Sequence, residues 1–142
     1  MSYMEQFNFW VEDSYFDEAT KKELLEIKDN EKEIEDRFYK ELEFGTGGLR
    51  GIMGAGPNRM NRYTIAKATK GYADYLKSRF SGEISVAIAY DSRNNSQYFS
   101  EVAAGVLSAN GIKVYIYNTL MPTPVLSFTA KYLGCNGGIV LT

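Results

Sequence analysis

The chain has 142 residues, 44% hydrophobic and 24% charged, with 16 Lys plus Arg against 18 Asp plus Glu for a net charge of −2. That length suits a soluble domain with a core of its own, and the charge balance excludes the basic excess of a nucleic-acid or anionic-membrane binder. One cysteine, Cys135, and no histidine exclude an internal disulfide, His-ligated metal sites and His-based dyads or triads.

Met1 to Gln6 lacks a positive region ahead of an apolar core, and no apolar run nears the roughly 20 residues of a membrane span. The expected location is therefore cytoplasmic, with no nucleic acid and no membrane as partner. Residues 1–42 read as a charged, helical lead-in. Asp17 is placed to cap a helix through Leu24, Leu25 and Ile27. Asn30 and Glu33 form a capping-box pattern ahead of a stripe of Ile34, Phe38 and Leu42.

Composition then changes. Six of the 13 glycines fall between Phe44 and Gly56, at 45, 47, 48, 51, 54 and 56. Such density implies backbone in unusual φ/ψ, or backbone closely approached by something else. A helix from about Tyr63 to Phe80 is expected next, followed by a strand over Ile84 to Tyr90 that ends at Asp91. A second helix runs from about Gln97 to Ala109 and stops at Asn110-Gly111. Ile112 to Tyr117 is a second strand. Pro122 and Pro124 open a helix that Gly134 ends, and Gly137 to Thr142 is a third strand.

Strand and helix in alternation predict an α/β domain with a largely parallel sheet and right-handed crossovers. Function in such sheets gathers at the carboxyl ends of the strands. One of those ends is Asp91-Ser92-Arg93. Another follows Thr142, so the chain is expected to be a piece that stops where a functional loop should begin.

The glycine window is not a Walker loop, because no Gly-Lys-Ser/Thr closes it, and its glycines do not fit the dinucleotide fingerprint. It offers free N–H groups, the Thr46 hydroxyl and the Arg50 guanidinium, a set able to hold phosphate. A tight glycine turn with Arg50 paired to a surface carboxylate explains the same letters equally well.

The run Phe44-Gly45-Thr46-Gly47-Gly48-Leu49-Arg50-Gly51 resembles the amino-terminal signature of the α-D-phosphohexomutases. Ile52 to Asn61 resembles the branch containing phosphoglucomutases and phosphopentomutases. In order come Asp91-Ser92-Arg93, similar to the family's Asp-x-Arg, then Met121-Pro122-Thr123-Pro124, similar to its Thr-Pro loop. Gly138 to Thr142 resembles the strand leading into its Thr-Ala-Ser-His-Asn-Pro loop. The resemblance covers residues 40–142. It implies that residues 43–142 form the family's first domain, a three-layer α/β/α sandwich with a mixed, mostly parallel sheet of four strands. The fourth strand would be a weak antiparallel one near Arg50 to Gly54.

The implied chemistry is transfer of phosphate within a hexose phosphate, glucose 1-phosphate to glucose 6-phosphate, through a phosphoserine and a hexose bisphosphate. Phosphopentomutase and phosphomannomutase are the alternatives within that chemistry. A non-catalytic module binding phosphate or sugar phosphate is the alternative outside it. Magnesium would serve the parent enzyme, and none is expected to be held by these residues. No serine here matches the phosphoserine, so no catalytic residue is assigned and the 142 residues alone are expected to be inactive.

By the same resemblance Arg50, Thr46 and Gly47 would bind substrate phosphate. Asp91 and Arg93 would support the active site, with Asp91 as a helix cap and Arg93 in a buried ion pair as the plainer reading. Self-association through exposed inter-domain surface is a further expectation.

Overall fold

A computed structural model describes residues 1–45, 48–93, 95–117 and 123–141. The chain divides into two compact units, Met1–Thr64 and Ile65–Thr142.

The first unit opens with three helices, α1 (Tyr3–Glu12), α2 (Glu18–Glu26) and α3 (Glu31–Phe38). Each start is capped by a side-chain oxygen that accepts a backbone N–H three residues on: Ser2 from Glu5, Asp17 from Thr20, Asn30 from Glu33. The last two are the caps the sequence predicts.

The helices bury one aromatic core. Trp10 stacks on Phe16 at 4.3 Å between ring centroids, and Phe38 and Tyr63 meet Trp10 edge-on at 5.7 and 5.6 Å. Leu24 and Ile34 are fully buried in the same cluster, which also contains Ala55 from the glycine window. Truncating Ile34 to alanine should cost about 2–5 kcal/mol, as such core deletions do.

The glycine window begins with a small antiparallel pair, β1 (Phe44–Gly45) and β2 (Gly48–Leu49), in which Phe44 faces Leu49 and Gly45 faces Gly48. Helix α4 (Arg62–Arg79) starts in the first unit and continues in the second.

The second unit is built on a parallel sheet of β3 (Ser85–Tyr90), β4 (Lys113–Ile116) and β5 (Gly137–Leu141), in the order β4-β3-β5. Central β3 is buried along Val86 to Tyr90 on both faces, the pattern of a parallel strand covered on two sides. Helix α5 (Ser96–Ala109) packs on all three strands and α6 (Thr123–Tyr132) on β3 and β5. Asn110 and Gly111, at φ +77°, end α5. Gly134, at φ +69°, closes α6, with the Cys135 N–H returning to the Ala130 carbonyl at 2.8 Å.

The α/β class, the parallel pairing and five of the helices lie where the sequence places them. The expected fourth strand differs. Among the described residues the sheet has three strands, and Arg50 to Gly54 contribute only an isolated bridge from Met53 to Met60. Gly54 and Gly56 have φ of +153° and +122°, a backbone path that departs from strand geometry.

Candidate functional site

In the first unit the candidate groups belong to the glycine window. Gly48, at φ +98°, starts β2 in a conformation that favours glycine. Arg50 follows β2 and is exposed. Thr46 and Gly47, the other two expected phosphate-binding positions, lie outside the described residues.

The stretch after Arg50 is held from several sides. A Cβ on residue 51 would come within 2.8 Å of a Leu42 methyl, so the backbone lies directly on that side chain. The Met60 N–H donates to the Ile52 carbonyl at 2.8 Å, and the Gly54 N–H donates to the Met60 carbonyl at 3.1 Å. The Asn61 side-chain amide donates to the carbonyls of both Gly54 and Gly56, each at 2.9 Å. Arg59, next to it, is almost completely buried and ion-paired with Asp36 and Glu33 on α3. Arg50 therefore stands on a fixed loop as a charged group open to solvent. That arrangement suits charge-assisted hydrogen bonding to a phosphate.

In the second unit the carboxyl end of β3 opens on a shallow, solvent-open cleft lined by Asp91, Ser92, Arg93, Asn95, Gln97, Tyr98 and Glu101. Asp91 is tied to the sheet by its N–H, which donates to the Leu141 carbonyl at 3.1 Å. Its Oδ1 accepts the Arg93 N–H at 2.9 Å and the Ser96 hydroxyl at 3.0 Å. Ser96 is the first residue of α5 and is buried. Asp91 thus organises the turn into the helix, and Asn95 takes the left-handed step of that turn at φ +66°.

The buried ion pair expected for Arg93 is not formed. The Arg93 side chain is 74% exposed, and its Nε is 3.8 Å from the Asp91 carboxylate. The reason is local: the tight turn uses Asp91 Oδ1 for backbone and Ser96, which leaves the guanidinium outside. With two carboxylates and one guanidinium among its charged groups, the cleft is no anion cradle by itself. Gln97, Tyr98 and Glu101 were not singled out in the sequence. The first two turns of a helix following an Asp-x-Arg strand end are the signal that could have found them.

Among the described residues no three His, Cys, Asp or Glu side chains stand together as a metal site would require. No helix among them is long and apolar enough to cross a membrane.

Residues 41–142 match the family model for the α/β/α domain I of phosphoglucomutase/phosphomannomutase. The chain belongs to that family. It is 44% identical to a phosphoglucomutase of Staphylococcus haemolyticus over 76% of its own length and 20% of the relative's. It is 36% identical to a phosphoglucomutase of Staphylococcus epidermidis over 95% of its length and 24% of the relative's. Against a human phosphopentomutase it is 36% identical over 94% of its length and 23% of the relative's. The chain therefore spans 20–24% of these curated relatives. No solved structure gives a significant match.

In this domain I, the lead-in helices α1 to α3 precede the matched residues, while Arg50 and the β3 cleft both fall within them.

Proposed function

We propose that this chain serves as domain I of a phosphoglucomutase-type isomerase that converts glucose 1-phosphate to glucose 6-phosphate. In this reading a phosphoserine gives its phosphoryl group to the sugar phosphate, the bisphosphate reorients, and its other phosphate returns to the serine. Catalysis of that kind rests on positioning and on stabilising the moving charge. The supporting observation is the match over 41–142 together with an exposed Arg50 on a braced glycine loop.

Arg50, with Thr46 and Gly47, would hold a substrate phosphate. Asp91 and Arg93 would shape the carboxyl end of β3 beside the serine loop. The three-layer α/β/α form belongs to the same reading. Right-handed crossovers with strands in the order β4-β3-β5 would carry α5 and α6 over opposite faces. A fourth antiparallel strand would belong to the fully assembled domain. Magnesium would be bound by residues other than those described, and the location would be cytoplasmic. The 142 residues by themselves would not turn over, since none of their serines matches the family's phosphoserine.

Phosphopentomutase is the second reading, favoured by the human relative of that name. The deciding experiment is to express the chain with the rest of its reading frame and supply glucose 1-phosphate, ribose 1-phosphate and mannose 1-phosphate separately. Fastest formation of glucose 6-phosphate supports the first reading, and a preference for the pentose supports the second. A folded protein that isomerises none of them would leave a phosphate-binding module.

A further inference from the structure

Glu23 on α2 and Arg37 on α3 lie outside the residues matched to domain I, yet they meet inside its glycine window. One oxygen of Glu23, Oε2, accepts the Ala55 N–H at 2.7 Å and Arg37 Nη1 at 2.5 Å. The same Nη1 donates to the Ala55 carbonyl at 3.1 Å. Both backbone polar groups of Ala55 are thus bound by the two members of one ion pair, in a closed ring. The Ala55 methyl is buried in the aromatic core, which fixes the residue from a third side.

The glycines on either side are shaped to this ring. A Cβ on residue 54 would lie 3.1 Å from both Arg37 Nη1 and Glu23 Oε2, and one on residue 56 would lie 3.0 Å from Arg37 Cβ. Both positions have positive φ. The Arg37 carbonyl also accepts the Asn58 N–H at 3.0 Å, and Glu33 holds Arg37 Nε at 2.9 Å. From Ala55 the restraint passes along the chain: Gly54 to Met60, Met60 to Ile52, and then Gly51 on Leu42, directly beside Arg50.

We infer that Glu23 and Arg37 are positioning residues, and that the lead-in helices set the path of the glycine segment presenting Arg50 through their ion-pair clamp on Ala55. The inference rests on the proposed phosphate role of Arg50 for its functional meaning. It extends that role to helices which the domain I match leaves out. A salt bridge serving helix packing alone would have no need to bind both the N–H and the carbonyl of a loop residue. Nor would it need glycine on either side.

The test uses the 142-residue chain, amide exchange followed residue by residue, and glucose 1-phosphate as the probe ligand. Glu23→Gln keeps the shape and removes the charge. Arg37→Lys keeps the charge but replaces a planar fork with a point donor. In both, exchange at Ala55 should quicken by about tenfold or more, the size of a lost charge-assisted hydrogen bond, while amides of α5 keep their rates. Affinity for glucose 1-phosphate should fall several-fold although Arg50 is intact.

Unchanged exchange at Ala55 in both variants would overturn the clamp, as would an equal rise throughout the chain. Faster exchange at Ala55 with unaltered affinity would overturn its positioning role. Arg50→Ala tests the ligand separately. If affinity survives that change while Ala55 exchange still depends on Glu23, the phosphate reading fails and the clamp on the loop stands.

Discussion

The hydroxyl of Tyr72 on α4 stands where a Cβ on residue 137 would have to be, so Gly137 at the start of β5 and Tyr72 are fitted to one another. Burial pushes the Tyr72 hydroxyl above its ordinary pKa, and the Gly138 backbone beside it offsets part of that rise. Gly137→Ala forces the ring or the strand to move and should destabilise the chain by about 1–3 kcal/mol, as overpacking does. Tyr72→Phe removes the obstructing oxygen, so the double variant should recover part of the loss. Urea denaturation of the two single variants and the double variant measures that coupling. Additive losses would show that the two residues are independent.

Asp91 and Arg93 should differ in their effect on stability. Asp91→Ala removes the acceptor of the buried Ser96 hydroxyl and of a turn N–H. Leaving one such group unsatisfied costs about 1–3 kcal/mol. Arg93→Ala breaks a long, solvent-exposed pair, and pairs of that kind contribute about 0–1 kcal/mol. Thermal melts of the two variants should therefore separate clearly. Equal losses would restore the buried pair that the sequence suggested.

The acid limb of stability should carry a contribution from Asp17. Burial alone would raise its pKa. The Thr20 N–H and hydroxyl, the Tyr63 hydroxyl and the Arg62 guanidinium outweigh burial and hold the carboxyl below its ordinary value. A carboxylate with a depressed folded pKa stabilises the fold above its unfolded pKa, about 3.9 for aspartate. That stabilisation is lost as the pH falls from there through the lower folded value. Asp17→Asn keeps a good capping residue and removes the titration. Melting temperature followed from pH 6 to pH 2 should fall less steeply in the variant. Parallel curves would remove Asp17 from the acid response.

Self-association of the chain is expected. Strand β5 is an edge strand among the described residues, and open edges invite pairing. Phe128 and Tyr132 stack on each other on α6, 69% and 78% exposed. Light scattering should show an apparent mass that rises with concentration. A constant monomer mass would contradict the expectation.

The strands and most helix ends were legible because each follows from a local rule. A short run of Val, Ile and Ala between a glycine loop and Asp91 reads as a strand covered on both faces, and Asp17, Asn30, Gly111 and Gly134 act on their own helix ends. Helix α1 also carries a local signal, Ser2 followed by Glu5.

What was hidden depends on distant partners. Arg59 reads as a loop residue, but it is buried against Asp36, 23 positions earlier. The glycine window suggests unusual backbone without saying what approaches it. At Gly54 and Gly56 the answer is Arg37, whose packing against α2 no local pattern encodes. The stretch Arg50 to Gly54 likewise depends on distant partners: among the described residues Ile52 and Gly54 bond to Met60 as an isolated bridge, and Ala55 is held by Glu23 and Arg37.

The most direct test of Arg50 as the phosphate-holding group is the kcat/KM for glucose 1-phosphate of the complete protein and of its Arg50→Ala variant. Loss of about tenfold to a hundredfold is expected, the range of a charge-assisted hydrogen bond to a phosphate oxygen, with the melting temperature of both proteins recorded to separate loss of binding from loss of fold. A variant that keeps full kcat/KM would contradict that assignment and with it the proposed role of the glycine window.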